Sequence, residues 1–286
     1  MPCVYVRVLR RHDSSRPSQA CSATGNLGSV AVRLLVLQPS EIDPPERLGQ
    51  WLVEAGAELD VRLPAVHDIP DTLDGVDGVV CLGGEMGAHD LEEHPWLADV
   101  RRLLADAVSR RVPVLAVCLG AQLLAVATGG DARRGAQGPE AGPRLVARRD
   151  ASGPDPLFAE LPLTPDVMQF HHDEIHRLGP GTLLLASSPR YDNQAFRVGP
   201  SAYGLQFHIE TSPETVRAWV RHDAEAAVTI PQHLLDDEHL EQVHADLEEA
   251  WRPLVERFVT LCASPDSPSL AELAAGDRPV LPLLDR

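Results

Sequence analysis

The fold of this chain is decided by the stretch Pro113-Val-Leu-Ala-Val-Cys118-Leu-Gly-Ala-Gln122. Its apolar run predicts a buried strand, and the residues after Cys118 predict a helix that begins at once. A thiol at that junction faces the free N–H groups and the positive dipole end of the helix, which favour a thiolate over a thiol. Cys118 therefore has the position of a nucleophile, although a small buried apolar residue is the common alternative for a cysteine.

Strand and helix patterns alternate around this stretch. Strands are predicted over residues 32–37, 58–62, 78–82 and 113–117, and helices over residues 45–55, 96–110, 121–127, 213–221 and 240–262. Such alternation is typical of an α/β fold with a doubly wound, mostly parallel, flavodoxin-like sheet and helices on both faces. Residues 135–192 are richer in proline and glycine, which predicts irregular or antiparallel additions at the sheet edge.

A second predicted strand ends in a base and a carboxylate, in the segment Tyr203-Gly-Leu-Gln-Phe-His208-Ile-Glu210. Residues two apart on a strand lie on one face, so Glu210 can hold the imidazole of His208 while the apolar residues between and before them face the core. With Cys118 these side chains form a Cys-His-Glu triad, in which an oriented base activates a weak nucleophile.

Together with the upstream segment Leu82-Gly83-Gly84-Glu85-Met86-Gly87, these motifs resemble those of the class I glutamine amidotransferases. The resemblance is to stand-alone proteins similar to the amidotransferase part of GMP synthase, and it covers residues 32–218. The three motifs stand in the family's order. The expected activity is therefore hydrolysis of the side-chain amide of glutamine through a thioester intermediate.

The resemblance also implies which residues contact the substrate. The oxyanion would be stabilised by the backbone N–H groups of Gly84 and Leu119, and glycine in the Gly83-Gly84 pair lets the backbone approach the substrate closely. A loop that bears histidine and aspartate would line the glutamine pocket, although a solvated polar loop is nearly as good an explanation. The expected oxyanion and substrate-binding residues are Gly83, Gly84, Leu119, Gln122, His172 and Asp173.

Two competing interpretations of the site residues are weaker. Cys81 is a second thiol near the glycine motif, but it lies in the apolar run Val79-Val-Cys-Leu82, which favours core packing. His172 and His176 stand four residues apart, yet no glutamate follows the first histidine directly, so the zincin pattern is absent. We therefore expect no metal and no cofactor.

Composition excludes several classes of function. The formal charge of −17 opposes binding to nucleic acid or to an anionic membrane surface. The chain contains no lysine, which excludes a P-loop and a Schiff-base enzyme. Five scattered cysteines without Cys-x-x-Cys pairs indicate a reducing cytoplasm, and no apolar run approaches the ~18 residues of a membrane span.

These observations lead to a domain scheme and a ranked set of functions. We expect residues 1–29 to be a disordered tail or to precede a true start at Val30 or Val32, residues 30–222 to form the amidotransferase domain, and residues 223–286 to form a helical extension and tail. The substrate is glutamine or another γ-glutamyl small molecule, with ammonia passed to a separate synthase subunit or released. A γ-glutamyl hydrolase of another metabolite and a non-catalytic binding or regulatory module are the alternatives.

Overall fold

The computed structural model describes residues 31–264. The expectations for residues 1–29 and for the end of the C-terminal tail lie outside this range. The strands are β1 Val32–Leu37, β2 Ala57–Arg62, β3 Gly78–Cys81, β4 Val114–Val117, β5 Asp131–Arg134, β6 Glu140–Leu145, β7 Ala147–Arg148, β8 Asp166–His171, β9 Asp173–Arg177, β10 Thr182–Ser187, β11 Ala195–Val198 and β12 Ala202–Leu205. The α-helices are α1 Glu46–Glu54, α2 Trp96–Arg110, α3 Leu119–Ala127, α4 Pro213–His222, α5 Ala224–Ala227 and α6 Asp237–Ala263, and short 3-10 turns span Asp150–Ser152 and Gln232–Leu235.

An eight-stranded sheet in the order β2-β1-β3-β4-β12-β11-β10-β7 forms the centre of the molecule. Its first five strands are parallel, and the pairs from β12 to β7 are antiparallel. Two small antiparallel pairs, β5-β9 and β6-β8, lie outside this sheet. The predicted α/β fold is confirmed, and the antiparallel strands fall within the segment that its proline and glycine content had marked or directly on either side of it.

Helices cover both faces of the sheet because its strands are apolar on both sides. Along β1, Leu34 and Val36 pack into the cluster that contains α1, α4 and α6, whereas Leu35 and Leu37 pack into the cluster that contains α2 and α3. A strand buried on both faces reads as a continuous apolar run, which is how β1 and β4 read in the sequence. No helix among residues 31–264 is long and apolar enough to cross a bilayer.

The strand expected to run through His208 to Glu210 ends earlier, at Leu205. Its neighbour β4 ends at Val117, and the chain turns into α3 directly afterwards, so no strand continues beside it. The last ladder bond on that side is donated by the Cys118 N–H to the Leu205 carbonyl at 2.7 Å. Beyond that point the chain is irregular apart from one bridge between Met168 and His208. The strand prediction was therefore wrong over its last residues.

The C-terminal helix α6 is longer than predicted and packs one apolar face on the sheet. Leu247 and Trp251 are buried in the same cluster as β1 and α1. The Trp251 indole donates to the Asp166 carbonyl at 2.8 Å, and Arg47 of α1 pairs with Glu248 at 2.6 Å. The helix thus contributes to the core that supports the sheet.

Candidate active site

Cys118 stands at a strained turn between β4 and α3. Its φ is +50° and its ψ is −110°, a conformation that side-chain-bearing residues rarely adopt. Such strain costs about 1–3 kcal/mol and persists only where the surrounding packing enforces it. The enforcing contact is at Gly120, where a Cβ would lie 2.2 Å from the Cys81 carbonyl oxygen. Glycine at position 120 lets α3 approach β3 this closely. The turn at Cys118 places its sulfur at the carboxyl end of the sheet.

His208 is held by Glu210 even though the segment is not a strand. The Nδ1 atom of His208 lies 2.5 Å from Oε1 of Glu210, and the Ile209 N–H donates to the other carboxylate oxygen at 2.9 Å. Both side chains are buried. With Nδ1 engaged by the carboxylate, the remaining ring nitrogen, Nε2, is free to exchange a proton with another group.

The His208 ring and the Cys118 side chain are neighbours. A Cβ placed on Gly83 would lie 3.1 Å from Cε1 of His208 and 3.5 Å from Cβ of Cys118, so the three residues pack together. Burial lowers the pKa of His208, but the charges of Glu210 and Cys118, with hydrogen bonds to both, hold this pKa well above its usual value. The surroundings of the imidazole therefore favour its protonated form.

A cavity of about 480 Å³ opens over these residues. This volume lies within the roughly 300–1,000 Å³ of small-molecule sites. Of the residues predicted from sequence, six line the cavity, whereas Glu210 lies behind His208, and Gly83 and Leu119 lie beneath the surface. The lining consists of Ile42, Asp43, Gly84, Glu85, Met86, Gly87, Asp90, Cys118, Gln122, Arg134, Phe170, His171, His172, Asp173, His208, Trp219, His222 and Asp223.

The two residues whose backbone N–H groups are expected to form the oxyanion hole pack against each other. A Cβ on Gly84 would approach Cδ2 of Leu119 to 3.1 Å. Within residues 31–264, neither N–H group donates to a protein acceptor outside a regular helix or strand. Gly84 follows β3 and lines the cavity, and Leu119 begins α3 directly after Cys118.

Gln122 is buried and already bonded to protein groups. Its Nε2 lies 3.3 Å from Oε1 of Gln206 and 3.4 Å from the Asp173 carbonyl oxygen. Gln206 in turn places its own Nε2 3.9 Å from the sulfur of Cys118. Sequence analysis missed Gln206, although its two-residue spacing from His208 was a usable signal.

The predicted His-Asp pair takes part in a network at the wall of the cavity. His172 Nε2 lies 2.5 Å from Oδ2 of Asp223, the residue between α4 and α5. Burial raises the pKa of the Asp173 carboxyl, opposed by the charge of Arg134. The His172 ring is thus paired with Asp223. The Asp173 side chain faces the cavity. Among residues 31–264, no group of three His, Cys, Asp or Glu side chains is arranged to hold a metal ion.

Two further residues of the cavity carried no recognisable sequence signal. The Trp219 ring packs on the His208 ring with centroids 4.6 Å apart, and its Nε1–H donates to Oδ1 of Asp43 at 2.8 Å. Burial raises the pKa of Asp43 to about 6, although the positive charge of His208 opposes this shift. A buried carboxylate therefore lies one indole ring away from His208.

Comparison with known proteins assigns the family. The family model described as glutamine amidotransferase class-I matches residues 43–224. The chain belongs to this family. The solved structure of a glutamine amidotransferase from Thermotoga maritima superposes on this class I glutamine amidotransferase with a TM-score of 0.72 and 30% identity, covering 81% of this chain and 99% of that one. The resemblance inferred from the motifs is thereby confirmed.

Several curated relatives are similar in sequence to this amidotransferase. A subunit of the glutamine-hydrolyzing GMP synthase of Thermoplasma volcanium is 33% identical over 171 residues, which are 57% of this chain and 79% of that protein. Gamma-glutamyl peptidase 5 of Arabidopsis thaliana is 25% identical over 213 residues, 73% of this chain and 81% of that protein. The chain spans 28% of the length of the GMP synthase of Christiangramia forsetii, to which it is 30% identical over 151 residues.

Proposed function

We propose that this class I glutamine amidotransferase hydrolyses the side-chain amide of glutamine, with Cys118 as nucleophile, His208 as proton carrier and Glu210 as the group that orients it. One observation carries the proposal. The thiol stands on a strained turn and lines the same cavity as His208. The Nδ1 atom of His208 lies 2.5 Å from the buried carboxylate of Glu210. Nucleophile, base and orienting group in this order form the general arrangement for covalent acyl transfer.

In the first half-reaction, the Cys118 thiol gives its proton to His208, and the sulfur attacks the amide carbonyl carbon and forms a C–S bond. The carbonyl oxygen becomes an oxyanion, which accepts hydrogen bonds from the backbone N–H groups of Gly84 and Leu119. The intermediate then collapses, the C–N bond breaks, and His208 gives its proton to the departing nitrogen as ammonia leaves. The product is a γ-glutamyl thioester on Cys118.

In the second half-reaction, His208 takes a proton from water, and the resulting hydroxide attacks the thioester carbonyl. The C–S bond breaks, His208 returns its proton to the sulfur, and glutamate leaves with the thiol restored. Glu210 keeps the imidazole in one tautomer through both steps and stabilises its charged form. We assign substrate contacts to Gln122, Asp173 and His172 and a supporting role to Gly83.

A second candidate is hydrolysis of a γ-glutamyl amide other than glutamine. It is supported by the similarity to gamma-glutamyl peptidase 5 of Arabidopsis thaliana along 73% of this chain. The same triad would act on the same γ-carbonyl carbon, and only the leaving amine would differ. Relatives named as individual subunits of GMP synthase support the further proposal that ammonia from glutamine passes to a separate synthase subunit.

We also propose that the protein resides in the cytoplasm. Cys81, Cys118 and Cys262 are all free thiols in the part of the chain that the structure describes. Free buried thiols are usual in a reducing compartment. Fractionation of the source cells tests this location, and recovery of the protein from an oxidising compartment would contradict it.

The test of the activity combines turnover with covalent labelling. Purified protein is assayed for glutamate and ammonia release from glutamine and for amine release from a panel of γ-glutamyl amides. In parallel, it is treated at neutral pH with a diazoketone analogue of glutamine, and the labelled peptide is identified by mass spectrometry. We expect label on Cys118 and loss of both label and turnover in Cys118→Ala, with Cys81→Ala as the matched control that retains both.

Two outcomes would contradict the proposal in different ways. Amine release from another γ-glutamyl compound with negligible glutamine hydrolysis, with or without candidate synthase partners, would favour the second candidate. No labelling of Cys118 and no release from any compound would favour a non-catalytic binding or regulatory module.

A further inference from the structure

The charges that line the cavity are unbalanced. Its basic side chains are largely committed to acids: Arg134 binds both carboxylate oxygens of Glu225 at 2.9 Å, and His172 pairs with Asp223 at 2.5 Å. In contrast, the lining acids Asp43, Glu85, Asp90 and Asp173 form no ion pair with any residue in 31–264. Acids without an ion-pair partner therefore outnumber the remaining positive groups, such as the His208 imidazole, and the lining is negative on balance.

Asp43 is the most informative of these acids. Asp43 is only 8% exposed, and the Trp219 Nε1–H donates to the Oδ1 atom of Asp43 at 2.8 Å. The other oxygen, Oδ2, accepts no hydrogen bond from residues 31–264 and opens onto the cavity. The Asp43 carboxylate is largely buried, so its charge is costly to maintain, and a cationic ligand in the cavity would offset that cost.

The position of Asp43 relative to His208 indicates which part of a substrate it faces. In the proposed mechanism His208 delivers a proton to the departing nitrogen, so the leaving amine lies on the His208 side of the cavity. Trp219 joins the two residues, because its ring packs on His208 and its N–H binds Asp43. Glu85, the residue after the oxyanion glycine, lines the same cavity, and its charge contributes to the raised pKa of Asp43.

We propose that Asp43 and Glu85 form a cation-binding subsite for the leaving amine. The enzyme would then prefer γ-glutamyl amides whose amine carries a second, positively charged nitrogen over γ-glutamyl amides whose amine carries a carboxylate. The reaction adds water across the γ-amide bond and yields glutamate and a diamine. When glutamine is the substrate, the product is ammonia, which carries neither a second nitrogen nor a carboxylate.

This inference rests on the proposed function and narrows its second candidate. A γ-glutamyl peptide releases an amino acid or peptide, whose carboxylate would face Asp43 and Glu85. Like charges brought together in a cavity, where the effective dielectric constant is lower than in bulk water, are disfavoured. The γ-glutamyl compounds accepted by this enzyme would therefore be amides of basic amines, and γ-glutamyl peptides would be poor substrates.

Three substrates of equal carbon number test the subsite. They are the γ-glutamyl amides of 1,4-diaminobutane, butylamine and 4-aminobutyrate, whose free ends are positive, neutral and negative. We expect kcat/KM of the wild type to fall in that order, with about a hundredfold between the first and the last. Equal values for the three compounds, or preference for the carboxylate, would overturn the proposal.

Variants separate a charge effect from a structural one. In the double variant Asp43→Asn, Glu85→Gln, the ratio of kcat/KM for the diamine and 4-aminobutyrate compounds should fall at least about tenfold, and the butylamide measures any change common to all three substrates. Glu93→Gln removes an exposed charge outside the cavity lining and should leave the ratio unchanged. An equal loss on all three compounds would show that Asp43 and Glu85 act only through structure, and it would overturn the proposal.

A binding measurement keeps the subsite testable apart from turnover. Calorimetry with Cys118→Ala, which cannot turn substrate over, gives Kd for each of the three amides. The diamine compound should bind at least about tenfold more tightly than the 4-aminobutyrate compound. Equal affinities would overturn the subsite, even if the wild type is active. If the wild type releases no amine but the Kd values differ clearly, the proposed hydrolysis is overturned and the subsite is supported.

Discussion

The substitution Asp43→Asn should make the protein more stable at neutral pH. Burial raises the pKa of this carboxyl from 3.8 to about 6, so the folded protein favours the protonated form. Stability from such a group is complete below the unfolded value and is lost as the pH rises through the folded value. At neutral pH the folded protein therefore carries an ionised buried carboxylate at a cost that the unfolded chain does not have.

The size of the effect follows from the two pKa values. Their difference corresponds to a cost of about 3 kcal/mol at about pH 7.5, which shrinks to about 1 kcal/mol at about pH 4.5 because the carboxyl is then protonated in the folded protein. Asparagine keeps an oxygen for the Trp219 N–H and has nearly the same volume, but it carries no charge. Asp43→Asn should therefore stabilise by up to about 3 kcal/mol at the higher pH and by about 1 kcal/mol at the lower one.

Urea unfolding followed by tryptophan fluorescence measures this difference at the two pH values. The exposed Asp192→Asn is the matched control and should change the free energy of unfolding by less than about 0.5 kcal/mol at either pH. Two results would refute the reasoning: a loss of stability in Asp43→Asn at about pH 7.5, or a gain that does not depend on pH. The first would mean that the carboxylate is already satisfied inside the protein.

Three further substitutions or modifications test the site. Glu210→Gln should lower kcat by about 10²–10⁴ and move the His208 limb of the pH–rate profile to lower pH, because the carboxylate raises the pKa of His208 and orients its ring. An unchanged profile in a steady-state glutaminase assay would contradict this. An alkylating agent should modify Cys118 in the native protein and spare Cys81, since burial raises the pKa of Cys81 to about 12. Peptide mass mapping measures the modification of each thiol, and comparable rates at the two cysteines would argue against Cys118 as the nucleophile. Gly120→Ala should destabilise the folded protein by about 1–3 kcal/mol or more, because the alanine Cβ would lie 2.2 Å from the Cys81 carbonyl oxygen. If thermal unfolding gives a free energy of unfolding within about 0.5 kcal/mol of the wild type, α3 can move away.

The parts of the fold that could be predicted are those fixed by local pattern. The bounds of α2 match the prediction, because an amphipathic period over four turns leaves little choice of where the apolar face begins and ends. The end of β12 could not be predicted in this way. It depends on where β4 stops and on the turn at Cys118, and no property of residues 206–210 themselves reports the absence of a pairing partner.

The candidate site divides in the same manner. Cys118 and the His-x-Glu pair were recognisable because their chemistry and spacing are unusual for structural residues. The two-residue spacing placed Glu210 on the His208 ring, and that contact is present even though the strand is not. The chain bends at residues 209 and 210, so this contact depends on the reach of the glutamate side chain across two residues and not on strand alternation.

Asp43 and Trp219 were beyond the reach of such reasoning. They are 176 positions apart in the sequence, and each has an ordinary local setting: Asp43 precedes a proline pair, and Trp219 is on the buried face of α4. Only the packing of α4 against the cavity brings the indole N–H to the carboxylate. Long-range pairs of this kind define the walls of a site, and no periodic pattern encodes them.

The destabilising charge of Asp43 and the proposed subsite make one linked prediction. A cation that binds Asp43 favours its ionised form, so it should offset the cost that burial imposes on the folded protein. The cationic amide should then raise the unfolding temperature of the Cys118→Ala protein, by an amount that grows with ligand concentration as RT ln(1 + [L]/Kd). With Asp43→Asn added, the protein should start from a higher unfolding temperature and gain less from the same ligand. Equal gains in the two proteins would mean that the ligand does not reach this carboxylate, and that its cost to folding is unrelated to substrate binding.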